Sequence, residues 1–535
     1  MIAQPADVGS AGADRPARAP REAKVSHLVA MELRRQILSG ELVADQQLAT
    51  EAELTATFDV SRETVREALR VLESQSLVEV RRGRGGGAVV RRPGLASIGR
   101  YLALLLQLRG TTLADLEEAR AVLEPPLAER FAVRCSAADL HALGRLHDQE
   151  RTAEDDPLAF VMAAAGFDTA VTERSGNRSV GLVAGIFRDV YAGQVYAAVA
   201  PSGPASAEEI ARTVTACHSA FLDAARRRDG AMARRAWADY LAVTSPLLVD
   251  RGRSRQSIDV VPLWRPRNDS AAAGQSSKPG QPNRLAATVA DEIRARIAEG
   301  RLGDGDRLPG LPDLAAQFGV SRPTLREALR TLEMEFLVDL RAGDRNGPQI
   351  RHPSPRVAVQ LASTVMQARH ATMGDFFRAV AMIEPSMIEL AVARMDPASL
   401  ATLRSFAADL AARPRDASDL SEVWTTARKV IFGATRNPAL AVIAEVLQWV
   451  RTDAQANPAG SAITDPAWLA ETHRLVALFP ELVAAFEAED GVRAARIWAQ
   501  SLDANSPDIE SSELGRRLVI DLIGEKEGVP WTSLT

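Results

Sequence analysis

The chain has 535 residues, too many for one core, and its length points to three or four domains. Its 46% hydrophobic and 25% charged content is that of a globular protein, no apolar run approaches the ~18 residues of a membrane span, and two cysteines, Cys135 and Cys217, exclude a disulfide framework. A net charge of -5 excludes nucleic-acid binding through the overall field and leaves it to local basic patches.

Residues 1–22, rich in Ala, Pro, Arg and Asp and without an apolar signal core, read as a disordered tail, and a reducing cytoplasm is the expected compartment. Val29, Leu33 and Ile37 recur every four residues and predict an amphipathic helix ending near Gly40. Thr50-Glu51-Ala52-Glu53 fits a capping box opening a short helix that carries Leu54 and Phe58. A tight turn at Asp59-Val60 leads to a third helix with Ser61 as N-cap, a buried stripe of Val65, Ala68, Leu69 and Leu72, and Arg62, Arg66 and Arg70 on the other face. Helix, turn and helix with basic and hydroxyl residues in the first turn is the arrangement that reaches base edges and phosphates from a major groove. Arginine suits it, because its fork can bond guanine O6 and N7 together or clamp a phosphate. The competing reading of any one such face is a solvated surface, with Arg66 and Arg70 paired to Glu63 or Glu67. Leu77–Val80 and Ala88–Val90 then read as two strands around a tip of Arg81-Arg82-Gly83-Arg84-Gly85-Gly86-Gly87, whose glycines let backbone approach a minor groove or a phosphate.

The whole pattern recurs 260 residues later. SRETVREALRVLE from Ser61 matches SRPTLREALRTLE from Ser321, and Ser26–Val80 matches Ala286–Leu340 at 24 of 55 ungapped positions. Two copies of three helices and a glycine wing leave little room for the solvated-face reading. The second copy differs in its details: Gly310 and Asp313 make a weaker cap, Pro323 sits in the first turn, and the tip Arg341-Ala342-Gly343-Asp344-Arg345-Asn346-Gly347 brings Asp344 toward phosphates.

Both heads resemble the winged-helix domain of GntR-family regulators, with SRxTxREALRxLE as the most specific stretch. The resemblance implies that Ser61, Arg62, Thr64 and Arg66 touch DNA, with Arg84, Gly85 and Gly86 at the wing tip. Their counterparts are Ser321, Arg322, Thr324, Arg326 and Arg345. Many members carry a basic residue early in the second helix, where this chain has Ala52 and Pro312.

After each head the pattern turns helical, with helices predicted near 112–134, 136–153, 156–175, 178–199, 205–228 and 230–250. Ser136 with Asp139 and Asp156-Pro157 are start signals, and Gly176-Asn177 and Asp229-Gly230 are stops. Asp396-Pro397 and Asn437-Pro438 repeat such starts in the second half. The layout resembles the FCD domain, the helical sensor of the FadR subfamily, on Arg120-Ala-Val-Leu-Glu124-Pro125, Phe167 ten residues before Asn177, and His218 before Asp229. That resemblance implies a bundle-lining metal held by one Asp and three His, which in turn binds a small carboxylate. The matching positions hold Ala164, Asp168, His218 and Tyr240 in the first sensor, at most a weak divalent site, and Trp424, Arg428, Phe479 and Ser501 in the second, which cannot hold a metal. Asp168 and His218 read either as ligands or as a buried hydrogen-bonded pair, Arg428 as an ion pair or an anion site, and Arg120 as a carboxylate clamp or the partner of Glu117 or Glu124. The candidate effector residues are Arg120, Asp168, Asn177, His218, Tyr240 and Arg428.

The expected fold is mainly α: tail 1–22, winged helix 23–92, helical sensor 93–250, flexible linker 251–283, winged helix 284–353, helical sensor 354–525 and tail 526–535. The expected function is a DNA-binding transcription regulator, a repressor without membrane attachment, with a double-stranded operator and a small anionic effector as partners. One chain serves as its own pseudo-dimer, and further homo-oligomers stay open. The alternatives are a ligand-blind architectural protein and an enzyme using Asp168 and His218 as acid and base. No nucleophile elbow, P-loop or dinucleotide turn accompanies the latter.

Overall fold

The computed structural model describes residues 25–39, 41–43, 45–74, 77–81, 87–90, 95–177, 179–181, 183–188, 190–191, 207–248, 251–263, 282–340, 347–368, 371–412, 417–455, 466–505 and 513–516. The first head consists of helices Val25–Ser39, Glu51–Phe58 and Arg62–Ser74 and a hairpin of Val78–Arg81 with Gly87–Val90. Val29, Leu33, Ile37, Leu54, Val65, Ala68, Leu69 and Leu72 fill its core, the apolar stripes that the periodicity marks. Thr50 Oγ1 accepts from the Glu53 amide at 3.3 Å while the Thr50 amide donates to the Glu53 carboxylate at 2.8 Å, a complete capping box. Asp59 takes the left-handed turn conformation with φ of 50°.

The second head repeats this with Pro282–Ala298, Leu311–Phe318 and Arg322–Met334 and a shorter hairpin, Val338–Asp339 with Gln349–Ile350. Gly310 opens its second helix without a side-chain cap, and Gly319 makes the turn at φ of 63°. Each hairpin gains a third extended segment that the sequence did not reveal. The Asp45 and Leu48 amides donate to Val90 and Ala88 carbonyls, and the Gly305 and Leu308 amides donate to Ile350 and Pro348. The two third helices, Arg62–Ser74 and Arg322–Met334, approach one another.

Each sensor is a helical bundle. The first has Leu113–Arg134, Ala137–Thr152, Pro157–Glu173, helical turns in the described part of 179–191, Ala207–Arg226 and Gly230–Leu248. The second has Met373–Arg394, Pro397–Ala412, Ala417–Gly433, Pro438–Gln455, Pro466–Glu487 and Gly491–Asn505. Two further helices, Leu95–Leu108 and Pro355–Ala368, join head to sensor, and Tyr101 to Leu106 of the first are all buried.

The expected flexible linker 251–283 needs correction over its first part. Residues 251–263 are packed: the Ile258 amide donates to the Thr111 carbonyl at 2.9 Å, the Val260 amide donates to Gln107 Oε1 at 2.8 Å, and both side chains are buried. Two apolar residues in a polar stretch are enough to dock it, because burial counts per side chain rather than by mean composition. Residues 264–281 lie outside the described residues.

The sensors face each other across a pseudo-two-fold axis. Helix Leu113–Arg134 packs on Met373–Arg394. Asn177 Nδ2 donates to the Asp375 carbonyl at 3.0 Å and Asn437 Nδ2 donates to the Asp115 carbonyl at 3.0 Å. Positions 177 and 437, and 115 and 375, correspond under the 260 offset, so the bonds are reciprocal, as at an isologous interface. The second head shares one continuous core with the second sensor and helix Leu95–Leu108, fastened by Gln107 Nε2 to the Ala298 carbonyl at 2.7 Å, whereas the first head keeps a core of its own.

Candidate functional site

In each head the third helix begins on a serine N-cap. Ser61 Oγ accepts from the Thr64 amide at 3.1 Å and lies 2.8 Å from Thr64 Oγ1, and Ser321 and Thr324 repeat both contacts at 3.3 and 2.8 Å. Satisfying the first amides this way places Arg62 and Arg322 at the first helical position, where both are exposed and have no polar partner among the described residues. Arg66 and Arg326 follow one turn on. Arg66 pairs with Glu51 at 3.0 Å rather than with Glu63 or Glu67, and Leu311 takes the place of Glu51 beside Arg326. Thr324 is buried and Thr64 half-buried. Arg84, Gly85, Gly86 and Arg345 lie outside the described residues.

In the first sensor, four of the candidate effector residues meet in one buried cluster. Helix Leu113–Arg134 supplies Arg120 and Glu124, whose carboxylate accepts from Arg120 Nε at 2.7 Å and from Trp237 Nε1 at 3.0 Å. Helix Pro157–Glu173 supplies Asp168. Its Oδ2 accepts from the Tyr240 hydroxyl at 3.1 Å and lies 3.6 Å from Arg120 Nη2. His218 completes the cluster from helix Ala207–Arg226. Its Nδ1 is 2.8 Å from Glu150 Oε1, Glu150 Oε2 is 3.0 Å from His147 Nδ1, and the imidazole stacks on Phe167 at 4.1 Å between centroids. His218 Nε2 and Asp168 Oδ1 are 3.3 Å apart but too poorly aligned for a hydrogen bond, so their attraction is Coulombic.

The charges in this cluster support each other. Burial alone would lower His218, but its pairing with Asp168 and Glu150 pushes it up to about 9. Burial would likewise raise Asp168, but the His218 contact and the Arg120 and Arg188 charges hold it below the ordinary carboxylate range. Arg120 is held up against its burial by Glu124 and then Asp168. Glu124, of the two acids weighed for Arg120, is its partner.

Asn177 stands apart. Its Oδ1 accepts from the Ser179 and Val180 amides and its Nδ2 reaches Asp375, so its amide caps a helix and bonds across the two sensors. We correct its assignment as an effector residue: its polar atoms are already engaged. Glu150, His147, Trp237 and Tyr191, over whose ring Arg120 lies at 4.6 Å, belong to the cluster and were not read from the sequence. The available signal was Trp237 pairing with Trp498 at the 261 offset that also aligns His218 with Phe479.

The metal implied by the family resemblance does not fit this donor set. Among the described residues no three His, Cys, Asp or Glu side chains converge as ligands. Of the two candidates, His218 is pushed up to about 9 by its carboxylate neighbours, and Asp168 already faces a guanidinium and a phenol. In the second sensor Arg428 is buried beside Glu384, Arg451, Trp424 and Trp498, with Phe479 and Ser501 nearby in the same bundle.

No helix among the described residues is long and apolar enough to cross a membrane. The pattern described as "Bacterial regulatory proteins, gntR family" matches residues 26–87 and 285–345, and the FCD domain matches 115–243 and 375–504. The chain is 28% identical over 226 residues to the "HTH-type transcriptional repressor NanR" of Citrobacter rodentium (strain ICC168), covering 41% of this chain and 83% of that protein. It is 38% identical over 118 residues to the "Putative L-lactate dehydrogenase operon regulatory protein" of Escherichia coli (strain K12), covering 22% of this chain and 46% of that one. A solved structure titled "Streptococcus agalactiae GntR" aligns at 23% identity and a TM-score of 0.32, over 41% of this chain and 97% of that one.

Proposed function

We infer that this chain, which belongs to the GntR family of bacterial regulatory proteins and carries its DNA-binding and FCD sensor domains twice, is a cytoplasmic repressor. Its two heads read one operator, and its sensors respond to a small anionic metabolite. One observation carries this reading: two serine-capped helices in one chain each present, at the first helical position, an exposed arginine, Arg62 and Arg322, with no polar partner among the described residues. With Ser61, Thr64, Arg66 and Arg84 to Gly86 of the first head, and Ser321, Thr324, Arg326 and Arg345 of the second, they form the DNA-reading set.

A dimeric regulator brings two heads to a palindrome through two-fold symmetry. Here the reciprocal Asn177 and Asn437 bonds supply that relation within one chain, so one chain is the operator-binding unit. The heads are not equal. Glu63 stands opposite Pro323 and Arg84-Gly85 opposite Asp344-Arg345, so the preferred site is an imperfect palindrome with the tighter half under the first head. The sensing role rests on the buried polar clusters, with Arg120, Asp168, His218 and Tyr240 in the first sensor and Arg428 in the second.

Genomic footprinting of the purified protein, followed by sedimentation with a short duplex carrying the strongest site, tests the reading. One chain per minimal site and unequal protection of the half-sites are expected. Two chains per site defeats the single-chain unit, and absence of footprints defeats the regulator.

A further inference from the structure

The second head is seated on parts that belong to the first half of the chain. Helix Pro282–Ala298 of that head ends, like any helix, on four carbonyls without a partner inside it. Amides of the following loop take three of them: Glu299 donates to Ala295, Arg301 to Arg296 and Gly300 to Ile297, at 2.9, 2.9 and 3.0 Å. The fourth, the Ala298 carbonyl, accepts from Gln107 Nε2 at 2.7 Å, a side chain of helix Leu95–Leu108. The other end of the same amide, Gln107 Oε1, accepts from the Val260 amide at 2.8 Å. The segment that carries Val260 is tied in turn to the first sensor. The Leu113 amide donates to the Gln256 carbonyl at 3.2 Å and the Ile258 amide donates to the Thr111 carbonyl at 2.9 Å, both at the entry of the helix that bears Arg120 and Glu124. Ile258 and Val260 are buried in the core that also holds Ala286, Val289 and Ile293 of the second head, and Val261–Leu263 packs on Pro282–Ala298. A second tie runs the same way, from the Ser354 amide at the exit of the second head to Tyr101 Oη at 3.0 Å. Leu361, without a hydroxyl, stands at the position matching Tyr101, and the first head keeps a core of its own.

We propose that residues 256–263 are a coupling strap through which the first sensor sets the position of the second head, with Gln107 as the positioning residue. This rests on the sensing role proposed above and adds its direction, from one half of the chain to the other. The Gln107 amide is planar and bonded at both ends, so it cannot turn to follow the strap without leaving the head. Its donor caps a carbonyl at a helix end, and losing that donor leaves the carbonyl without its partner. A shift at the entry of helix Leu113–Arg134 moves the Thr111 carbonyl and the Leu113 amide. The strap pairs antiparallel with that entry, Thr112 opposite Ser257, and so carries the shift to Val260 and Gln107. A free linker would lose such a displacement, whereas a strap packed into a core passes it on.

Hydrogen–deuterium exchange of the full chain tests the strap. Gln107→Leu removes both bonds and should speed exchange at least about fivefold in 257–260 and in 289–298, leaving 28–39 of the first head unchanged. Gln107→Glu keeps an acceptor for the Val260 amide but sets a carboxylate against the Ala298 carbonyl, so 289–298 should loosen while 257–260 stays protected. Glu124→Gln weakens the ties of helix Leu113–Arg134 to Arg120 and Trp237. It should speed exchange in 289–298 of the parent chain and add nothing in the Gln107→Leu chain. Footprinting on the strongest operator site should show Gln107→Leu weakening the half under the second head more than the half under the first. Unchanged exchange in 289–298 in both Gln107 variants, equal loosening of 28–39, an additive effect of Glu124→Gln, or equal loss at both half-sites overturns the strap. Exchange that changes as described in a chain that protects no operator leaves the strap standing and defeats the regulator reading instead.

Discussion

The two sensors share a scaffold and invert its charge. In the first, the carboxylates Glu124, Glu150 and Asp168 are met by Arg120, Arg188 and His218. In the second, Leu410 stands where Glu150 was and Arg428 where Asp168 was, and one glutamate remains against two arginines. Glu384 and Trp498 keep the hydrogen bond that Glu124 and Trp237 make, so the frame of the bundle persists while its centre changes sign. A duplicated bundle thus tolerates exchange at the positions facing its interior provided that one carboxylate and one indole still tie the helices together.

The largest effect expected from this difference is at that carboxylate. Glu384→Gln leaves Arg428 and Arg451 with no counter-ion among the described residues and should cost about 3–5 kcal/mol in urea unfolding. Glu124→Gln should cost less, because Asp168 remains 3.6 Å from Arg120. Equal losses would break the comparison.

Next in size is a pH dependence set by His218 of the first sensor. His218 is raised from an unfolded value near 6.5 to about 9, so its stabilisation is complete below about pH 6.5 and is lost as pH rises through about 9. Melting temperature should fall across that window in the parent chain, and His218→Phe, the residue found at the matching position 479, should flatten the fall. An unchanged slope in the variant would remove His218 from the account.

The heads give a smaller contrast. Arg62→Ala and Arg322→Ala should each cost about 1–3 kcal/mol of operator affinity if they read bases, with the larger loss at Arg62. Fluorescence anisotropy at moderate salt reads both, and unchanged affinity in both single variants removes the assignment. Smallest is the cap. Thr50→Ala should cost about 1 kcal/mol of stability and Gly310→Ser should add a few tenths, measured by thermal melts.

The heads were legible because their signals are local: a capping box, a serine cap and apolar stripes within a dozen residues, written twice. The bundles were legible as helices for the same reason. Helix Leu95–Leu108 was not, because its run from Tyr101 to Leu106 is apolar without a period, being covered on several sides. Residues 251–263 were misread because their docking depends on Ile258 and Val260 meeting a segment some 150 residues earlier. Of the sensor clusters, the family pattern marked Asp168, His218, Tyr240 and Arg428. Glu150 and Arg451 come from helices that the pattern leaves blank, and only the packing brings them in.

The reciprocal asparagine bonds have a genetic consequence. Where a two-fold is built from separate chains, a damaged subunit can enter mixed pairs and silence its intact partner. Here both sides of the axis are translated together, so a defective copy cannot poison a sound one through this interface, and dilution does not take the halves apart. The same linkage lets a substitution alter one side of the axis without being mirrored on the other, which is the freedom that matching positions holding Asp168 and Arg428 require.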